Sequence, residues 1–205
     1  MLNNNVEQVD RRQVARTVSV ALVIAFAIAL AAAFFILGIR ADLKETGAWT
    51  FLILKLGFAA AIAGPTSIYL IRVARPGGER KTSVVVAALP LIVVVILAAM
   101  SLVFTPTTHW NEMILGEQWL ECLLSIPIIA IAPFAVVVWA VRRMAPTDLV
   151  RAGAFAGLAA GAMSAAGYAF HCTDDSLPFV ALWYGGTIAL CTLAGAILGP
   201  RLLRW

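Results

Sequence analysis

Two of the three cysteines stand beside a second side chain that could take part in the same chemistry. Cys122 follows Glu121, and Cys172 follows His171. Thiolates joined by an imidazole or a carboxylate are donors that soft and borderline metal ions prefer, and two thiols that meet can instead form a disulfide. The sequence contains neither C-x-x-C nor H-E-x-x-H, so a dithiol oxidoreductase or a zinc protease is not indicated.

Acidic residues and both histidines accumulate around these two cysteines. No Lys or Arg lies among them, so the surface is expected to attract cations. The candidate metal ligands, or groups close to a bound ion, are His171, His109, Glu121, Asp174 and Asp175. A simpler interpretation remains open, in which each cysteine is a small apolar filler at a helix end.

The sequence lacks the other residue patterns that are typical of enzymes and transporters. It has no Gly-rich phosphate loop, no Ser-His-Asp candidate set and no acid-lined path through its apolar segments. We therefore expect no enzymatic activity and no resident cofactor, apart from a transient soft-metal ligand.

The composition identifies the elements that must position the cysteines. Of 205 residues, 62% are hydrophobic and 13% charged, against roughly half and a quarter in soluble globular domains. A membrane-spanning helix needs about 20 mainly apolar residues. Six windows qualify, near residues 17–39, 49–71, 83–104, 120–141, 149–170 and 177–199. None alternates like a barrel strand, so the sequence predicts an all-α integral membrane bundle of six transmembrane helices.

The basic residues predict the orientation, because positive charge resists translocation across a membrane. Twelve of the fifteen Lys and Arg residues fall in the N-terminal segment, the second and fourth loops and the C-terminal tail. Both termini are therefore expected in the cytoplasm, and the net charge of +4 reflects topology, not nucleic-acid binding. The predicted divisions are a cytoplasmic segment 1–16, a transmembrane domain 17–200 and a cytoplasmic tail 201–205.

This topology brings Cys122 and Cys172 to the same depth. Cys122 begins the fourth predicted span and Cys172 ends the fifth, so both lie at the outer face, where they could meet. Cys191 lies about 21 Å further in along the sixth span, too far for a disulfide.

Lys55 and a series of glycines stand out within the spans. Lys55 either extends its ammonium to the interface or pairs with an acid, for which Asp42 and Glu45 are the nearest candidates. Gly153, Gly157 and Gly161, with weaker counterparts in span six, predict close packing of spans five and six. That seam is either ordinary packing or a switching surface.

Several stretches of the chain resemble the NrsF family of bacterial membrane proteins. The resembling residues are Trp110–Leu115, Gly116–Trp119, Glu121–Cys122, Ile126–Pro127, His171–Cys172, Asp174–Asp175, Phe179–Tyr184, Arg40 with Asp42 and Leu43, Phe51–Lys55, Arg75–Gly77 and Gly199–Leu202.

The resemblance implies a six-span anti-sigma factor of the bacterial inner membrane that holds an extracytoplasmic-function sigma factor of the F type inactive. It also implies that Cys122 and Cys172 sense heavy metal or oxidant and thereby release the sigma factor. Candidate contacts with that partner are Glu7, Asp10, Arg11, Arg12, Arg75, Arg80 and Lys81. The alternative is a small metal-ion or solute transporter that uses the same Cys, His and acidic cluster.

Overall fold

The structure, a computed structural model, describes residues 11–43, 46–75 and 84–204. Its helices are α1 (Arg11–Ala32), α2 (Thr46–Val73), α3 (Val84–Val103), α4 (Trp110–Leu115), α5 (Trp119–Arg142), α6 (Leu149–Tyr168), α7 (Leu177–Phe179) and α8 (Gly185–Leu202). A π-helical turn, Ala33–Leu37, extends α1, and another, Val180–Tyr184, joins α7 to α8. A 3₁₀ turn, Thr107–His109, precedes α4.

The all-α prediction is confirmed for the part of the chain that the structure describes, which contains no strand. Six helical segments are long and apolar enough to cross a membrane, as predicted. They are α1, α2, α3, α5, α6 and α8, several of them extended by the shorter turns beside them.

Helix α6 lies at the centre of the bundle. Between Ala152 and Tyr168 every residue except Ala154 is buried, and α6 packs against α8, α5, α2 and α1. Its sequence is mostly Ala and Gly, so neighbouring backbones can approach closely without side chains between them.

The contact between α6 and α8 is made by backbone. A Cβ atom at Gly153 would collide with the Gly195 carbonyl oxygen, and one at Gly157 would collide with that of Cys191. The predicted close packing of these two helices is therefore confirmed. Gly167 serves the same purpose toward α1, where a Cβ atom would come within 2.9 Å of the Ala29 oxygen.

The outward faces of the long helices are apolar. On α3, the large side chains of Val85, Leu89, Ile92 and Ile96 are all exposed. A continuous exposed apolar surface is suited to hydrocarbon and not to water, where such patches are rare on monomeric proteins.

The loops gather at two ends of the bundle. We call the end formed by residues 38–43, 104–118 and 169–176 the cysteine end, and the end formed by residues 74–75, 143–148 and 203–204 the arginine end. At the cysteine end the first and fifth loops are joined directly, because the Arg40 amide donates to the Phe170 carbonyl at 2.9 Å.

Candidate functional site

Cys122 and Cys172 come together at the cysteine end. Cys122 lies in the first turn of α5, and Cys172 follows the last turn of α6, where its amide donates to the Tyr168 carbonyl at 3.1 Å. Both thiols are free and belong to one buried apolar cluster. They lie near enough for a charge on one sulfur to act on the other.

The two thiols are less accessible than the sequence suggested. Their spacing predicts a position at the outer face, yet both residues have 0% of their surface exposed. The reason is tertiary: both side chains pack into the buried apolar cluster of the bundle. A reagent can therefore reach them only if this end of the bundle opens.

The surroundings of Cys172 favour its protonated form. Burial raises the pKa of the Cys172 thiol, and the Lys55 ammonium and the Tyr184 hydroxyl lower that pKa only in part. A thiol in this state reacts slowly, because the thiolate is both the nucleophile and the metal ligand.

Two tyrosines complete the buried cluster. Tyr168 and Tyr184 are both 0% exposed, and their ring centroids lie 5.9 Å apart. Their hydroxyl groups have no hydrogen-bond partner of good geometry among the described residues. The Tyr184 hydroxyl nevertheless lies close enough to the Cys172 thiol to interact with it.

Lys55 is buried and paired, which is the second of the two alternatives predicted for it. Its ammonium is 0% exposed and donates to Asp175 Oδ1 at 2.9 Å and to the Cys172 carbonyl at 3.0 Å. The acid that pairs with it is Asp175 of the fifth loop, whereas the candidate Asp42 pairs with Arg40. The structure does not describe Glu45.

Arg40 joins the same group of charges. Its guanidinium donates to the Cys172 carbonyl at 3.0 Å, to Asp175 at 2.7 and 3.0 Å and to Asp42 at 2.6 and 2.7 Å. Hydrogen bonds to Asp42 and then Asp175 raise the pKa of Arg40, and the bond from Arg40 lowers the pKa of Asp42. The predicted cation-attracting surface is thus partly neutralised by Arg40 and Lys55.

Asp174 fastens the fifth loop to the start of α5. Its carboxylate accepts hydrogen bonds from the Glu117 and Gln118 amides, at 3.0 and 2.7 Å. The approach requires Gly116, which has φ +60° and where a Cβ atom would lie 2.6 Å from the Asp174 carboxylate. A side chain at this position would both strain the backbone and displace the acid.

Two further hydrogen bonds join α4 to the fifth loop and to the π-helical turn Val180–Tyr184. The Ser176 hydroxyl donates to the Met113 carbonyl at 2.6 Å, and the Trp183 indole donates to the Ile114 carbonyl at 2.8 Å. Ser176 also caps α7 by accepting from the Phe179 amide at 3.1 Å. The third and fifth loops are therefore held together by directed polar contacts.

The predicted metal ligands do not converge on the thiols. His171 faces Glu121 at 3.7 Å, and His109 lies with Glu112 at 3.7 Å on an exposed turn. Asp174 and Asp175 are engaged as described above. Within the residues that the structure describes, no three His, Cys, Asp or Glu side chains are grouped so that they could hold a metal ion.

The remaining cysteine and the candidate partner residues lie elsewhere. Cys191 packs in a separate cluster with Ala130 and Ala160. Arg12 and Arg75 lie at the arginine end and have interactions within the bundle. Glu7, Asp10, Arg80, Lys81 and the Arg11 side chain lie outside the described residues.

Reasoning from the sequence missed the parts played by Arg40, Tyr168 and Tyr184. A basic residue within an apolar span is a signal for function, and it did single out Lys55. Nothing in the sequence marks the tyrosines, because an aromatic residue in a membrane helix is ordinary.

Comparisons with known proteins give a consistent family assignment. A family model described as "NrsF: Negative regulator of sigma F" matches residues 2–205. A protein of Azospira oryzae named "Probable anti-sigma-F factor NrsF" is 30% identical over 151 residues, which cover 74% of this chain and 71% of that protein.

A second relative comes from Caulobacter vibrioides and is named "Anti-sigma-F factor NrsF". It is 30% identical over 135 residues, which cover 65% of this chain and 63% of the relative. No solved structure gives a significant match. With a family model that spans almost its whole length, this six-helix chain with its buried pair of cysteines belongs to the NrsF family of negative regulators of sigma F.

Proposed function

We propose that this protein is an anti-sigma factor of the bacterial inner membrane that holds an extracytoplasmic-function sigma factor of the F type at its cytoplasmic face. It releases that sigma factor when Cys122 and Cys172 react with a soft metal ion or an oxidant on the periplasmic side. Both termini face the cytoplasm. The arginine end is cytoplasmic and the cysteine end periplasmic.

The distribution of charge supports this orientation. Arg142, Arg143 and Arg151 lie at or near the arginine end and have exposed side chains. Among the described loop residues of the cysteine end, Arg40 is the single Lys or Arg. An excess of Lys and Arg belongs on the cytoplasmic side.

One observation carries the sensing function: two free, buried thiols lie in one cluster at the end of the bundle where polar contacts join the third and fifth loops. A structural pair of apolar fillers would need no such surroundings. The unpartnered hydroxyls of Tyr168 and Tyr184 add donors that can stabilise a thiolate or a metal-bound sulfur, because hydrogen bonds to sulfur stabilise its charged form.

Either signal can be written as a balanced step. A divalent soft metal ion displaces two protons from the thiols and forms two metal–sulfur bonds. An oxidant removes two electrons while two protons leave, and one sulfur–sulfur bond forms. A disulfide brings the two sulfurs to about 2.05 Å, closer than unbonded thiols, and a metal ion fixes the angle between them, so either product rearranges the turn that carries Cys172.

The energy available differs between the two signals. Taking a two-state protein from 1:99 to 99:1 requires about 5.5 kcal/mol. A disulfide supplies about 2–4 kcal/mol, whereas structural zinc sites rich in thiolates supply more than about 10 kcal/mol. Metal binding can drive the switch alone, and oxidation can do so if the resting bundle is weakly biased.

Co-purification tests the proposed function. Tagged protein extracted in detergent should bring down a sigma factor from unstressed cells, and exposure to cadmium or to an oxidant should release it. Cys122→Ser and Cys172→Ser should each abolish the release without abolishing the retention. Cys191→Ser is the matched control, because Cys191 lies in a different cluster, and it should behave as wild type.

Two results would contradict this proposal. One is that no sigma factor accompanies the wild-type protein. The other is that Cys191→Ser blocks release while Cys122→Ser and Cys172→Ser do not. Accumulation of zinc or cadmium in sealed vesicles that contain the purified protein would favour the transporter.

A further inference from the structure

Two cations converge on the backbone of the sensing residue. Lys55 Nζ and Arg40 Nη1 each donate to the Cys172 carbonyl oxygen at 3.0 Å. The same two side chains also hold Asp175, through contacts of 2.7–3.0 Å. The turn that carries Cys172 is thus clamped at its carbonyl and three residues later at a carboxylate.

Among the residues that the structure describes, every hydrogen bond of Lys55 goes to this turn. Its ammonium is fully buried, and the hydrogen bonds shown for it go to the Cys172 carbonyl and to Asp175. Removing one partner from a buried ion pair is strongly unfavourable, because the remaining charge is left without compensation. A movement of the Cys172 turn therefore forces Lys55 to move as well.

Lys55 also connects the turn to the other end of the molecule. It belongs to α2, which continues to Val73 at the arginine end and packs against α6, α3 and α1. The helix is continuous from Lys55 to Val73, with Pro65 between them, so a displacement of α2 as one body near Lys55 also moves its far end. Arg40, by contrast, lies in the loop between α1 and α2, so its displacement does not directly move a helix.

We propose that Lys55 is the positioning residue that couples the thiol pair to α2, because it ties the Cys172 carbonyl and Asp175 to that helix in the sigma-retaining state. Reaction at the thiols withdraws the carbonyl and Asp175, breaks the clamp and frees α2 to shift. The coupling rests on the proposed function of the thiols. The free thiols of this structure and the intact clamp belong to the same, unreacted state.

The test is to break the clamp without any signal. Lys55→Met and Asp175→Asn should each raise transcription from a sigma-dependent reporter about tenfold or more in unstressed cells, measured per unit of variant protein in the membrane. Glu117→Gln is the matched control. It makes the same carboxylate-to-amide change at the cysteine end, in a side chain that is exposed, and should leave the reporter at the wild-type level.

A second readout separates coupling from a merely structural role. In a background with Cys122→Ser and Cys191→Ser, a membrane-impermeant maleimide reports on Cys172 alone. Lys55→Met and Asp175→Asn should increase the labelling rate of Cys172 in the protein that remains in the membrane. Both substitutions break the same clamp, so their effects should not add. A protein that carries Lys55→Met and Asp175→Asn together should label at about the rate of Asp175→Asn alone.

The outcomes distinguish this inference from the proposed function. If Lys55→Met retains and releases the sigma factor as wild type does, Lys55 does not couple the thiols to α2, while the proposed function stands. A reporter increase that is explained by loss of the variant from the membrane, with Cys172 labelling unchanged, also overturns the coupling. If the wild-type protein retains no sigma factor, the proposed function itself fails.

Discussion

The Cys172 thiol lies between two opposing influences on its acidity. Burial raises its pKa, whereas the Lys55 ammonium and the Tyr184 hydroxyl lower it, and the effect of burial is the larger. The nearby cation is itself engaged with Asp175, which weakens its influence on the sulfur. In the resting state the Cys172 thiol is therefore buried and protonated. Its reaction rate should increase once it is exposed to solvent.

We expect the alkylation of Cys172 by a membrane-impermeant maleimide to be slow at pH 7 and to rise with pH. Below its pKa the thiolate fraction of any thiol rises about tenfold per pH unit. Because the Cys172 pKa is raised, its rate should still be rising above about pH 8.5, where an ordinary thiol levels off.

Rates would be measured in the Cys122→Ser, Cys191→Ser background, with free cysteine as the reference. In protein unfolded by denaturing detergent, Cys172 should react at about the rate of free cysteine. A Cys172 rate at pH 7 equal to that of free cysteine would contradict the burial.

The Tyr184 hydroxyl is a buried polar group beside the Cys172 thiol. Because it has no hydrogen-bond partner of good geometry in the described part of the chain, Tyr184→Phe should leave the free energy of unfolding unchanged or raise it by up to about 1 kcal/mol. Thermal unfolding in detergent measures this effect. The same variant should bind cadmium more weakly if the Tyr184 hydroxyl donates a hydrogen bond to a metal-bound sulfur.

Ser176→Ala is the control for this prediction. The Ser176 hydroxyl is satisfied by Met113 and caps α7, so its loss should lower the free energy of unfolding by about 1 kcal/mol. A larger loss of stability in Tyr184→Phe than in Ser176→Ala would mean that the Tyr184 hydroxyl has a partner.

Among the elements, α6 and α8 form the tightest contact. Their backbones touch at Gly153, Gly157, Gly195 and Gly199. No side chain can therefore be added at these positions without moving the two helices apart. Such a contact fits ordinary packing as well as a switching seam. Under the coupling proposed for Lys55, the moving helix is α2, which also packs against α6.

Gly157→Ala should destabilise the bundle by about 2 kcal/mol or more, because its Cβ atom would overlap the Cys191 carbonyl and overpacking of this kind costs about 1–3 kcal/mol. Gly186→Ala is the matched control in α8. Nothing lies within 4 Å of the added atom there, and alanine favours a helix by about 1 kcal/mol over glycine.

Detergent-solubilised variants would be compared by thermal aggregation. Equal stability of Gly157→Ala and wild type would show that α6 and α8 do not pack through their backbones.

Over the whole molecule, charge and hydrophobicity divide into layers. Apolar side chains cover the outside of the long helices, while exposed arginines mark one end and the buried charge cluster of Arg40, Lys55 and Asp175 lies toward the other. This layering supports one orientation in a bilayer, with the arginine end in the cytoplasm.

Single-cysteine labelling tests that orientation. In a protein with all three native cysteines replaced by Ser, Thr108→Cys at the cysteine end should react with a membrane-impermeant maleimide in intact cells. Thr147→Cys at the arginine end should react only after the cells are opened. Both threonines are exposed, so a difference between them reports on the membrane side. The reverse pattern would overturn the proposed topology.

Much of this architecture followed from the sequence alone. Six apolar windows predicted six long helices, because a bilayer core about 30 Å thick sets a minimum apolar length. Antiparallel helices of similar length bring the start of the fourth to the end of the fifth, which placed Cys122 and Cys172 at one level. The small residues of span five predicted its close packing with span six.

The tertiary structure alone decided what surrounds the thiols. Lys55 and Asp175 are far apart in the chain, and Tyr168 and Tyr184 lie on different helices, so no local pattern links them to Cys172. The partner of a buried charge is selected by which loop folds over it. Hydrophobic periodicity and charge counts describe each helix singly and carry no information on how two loops meet.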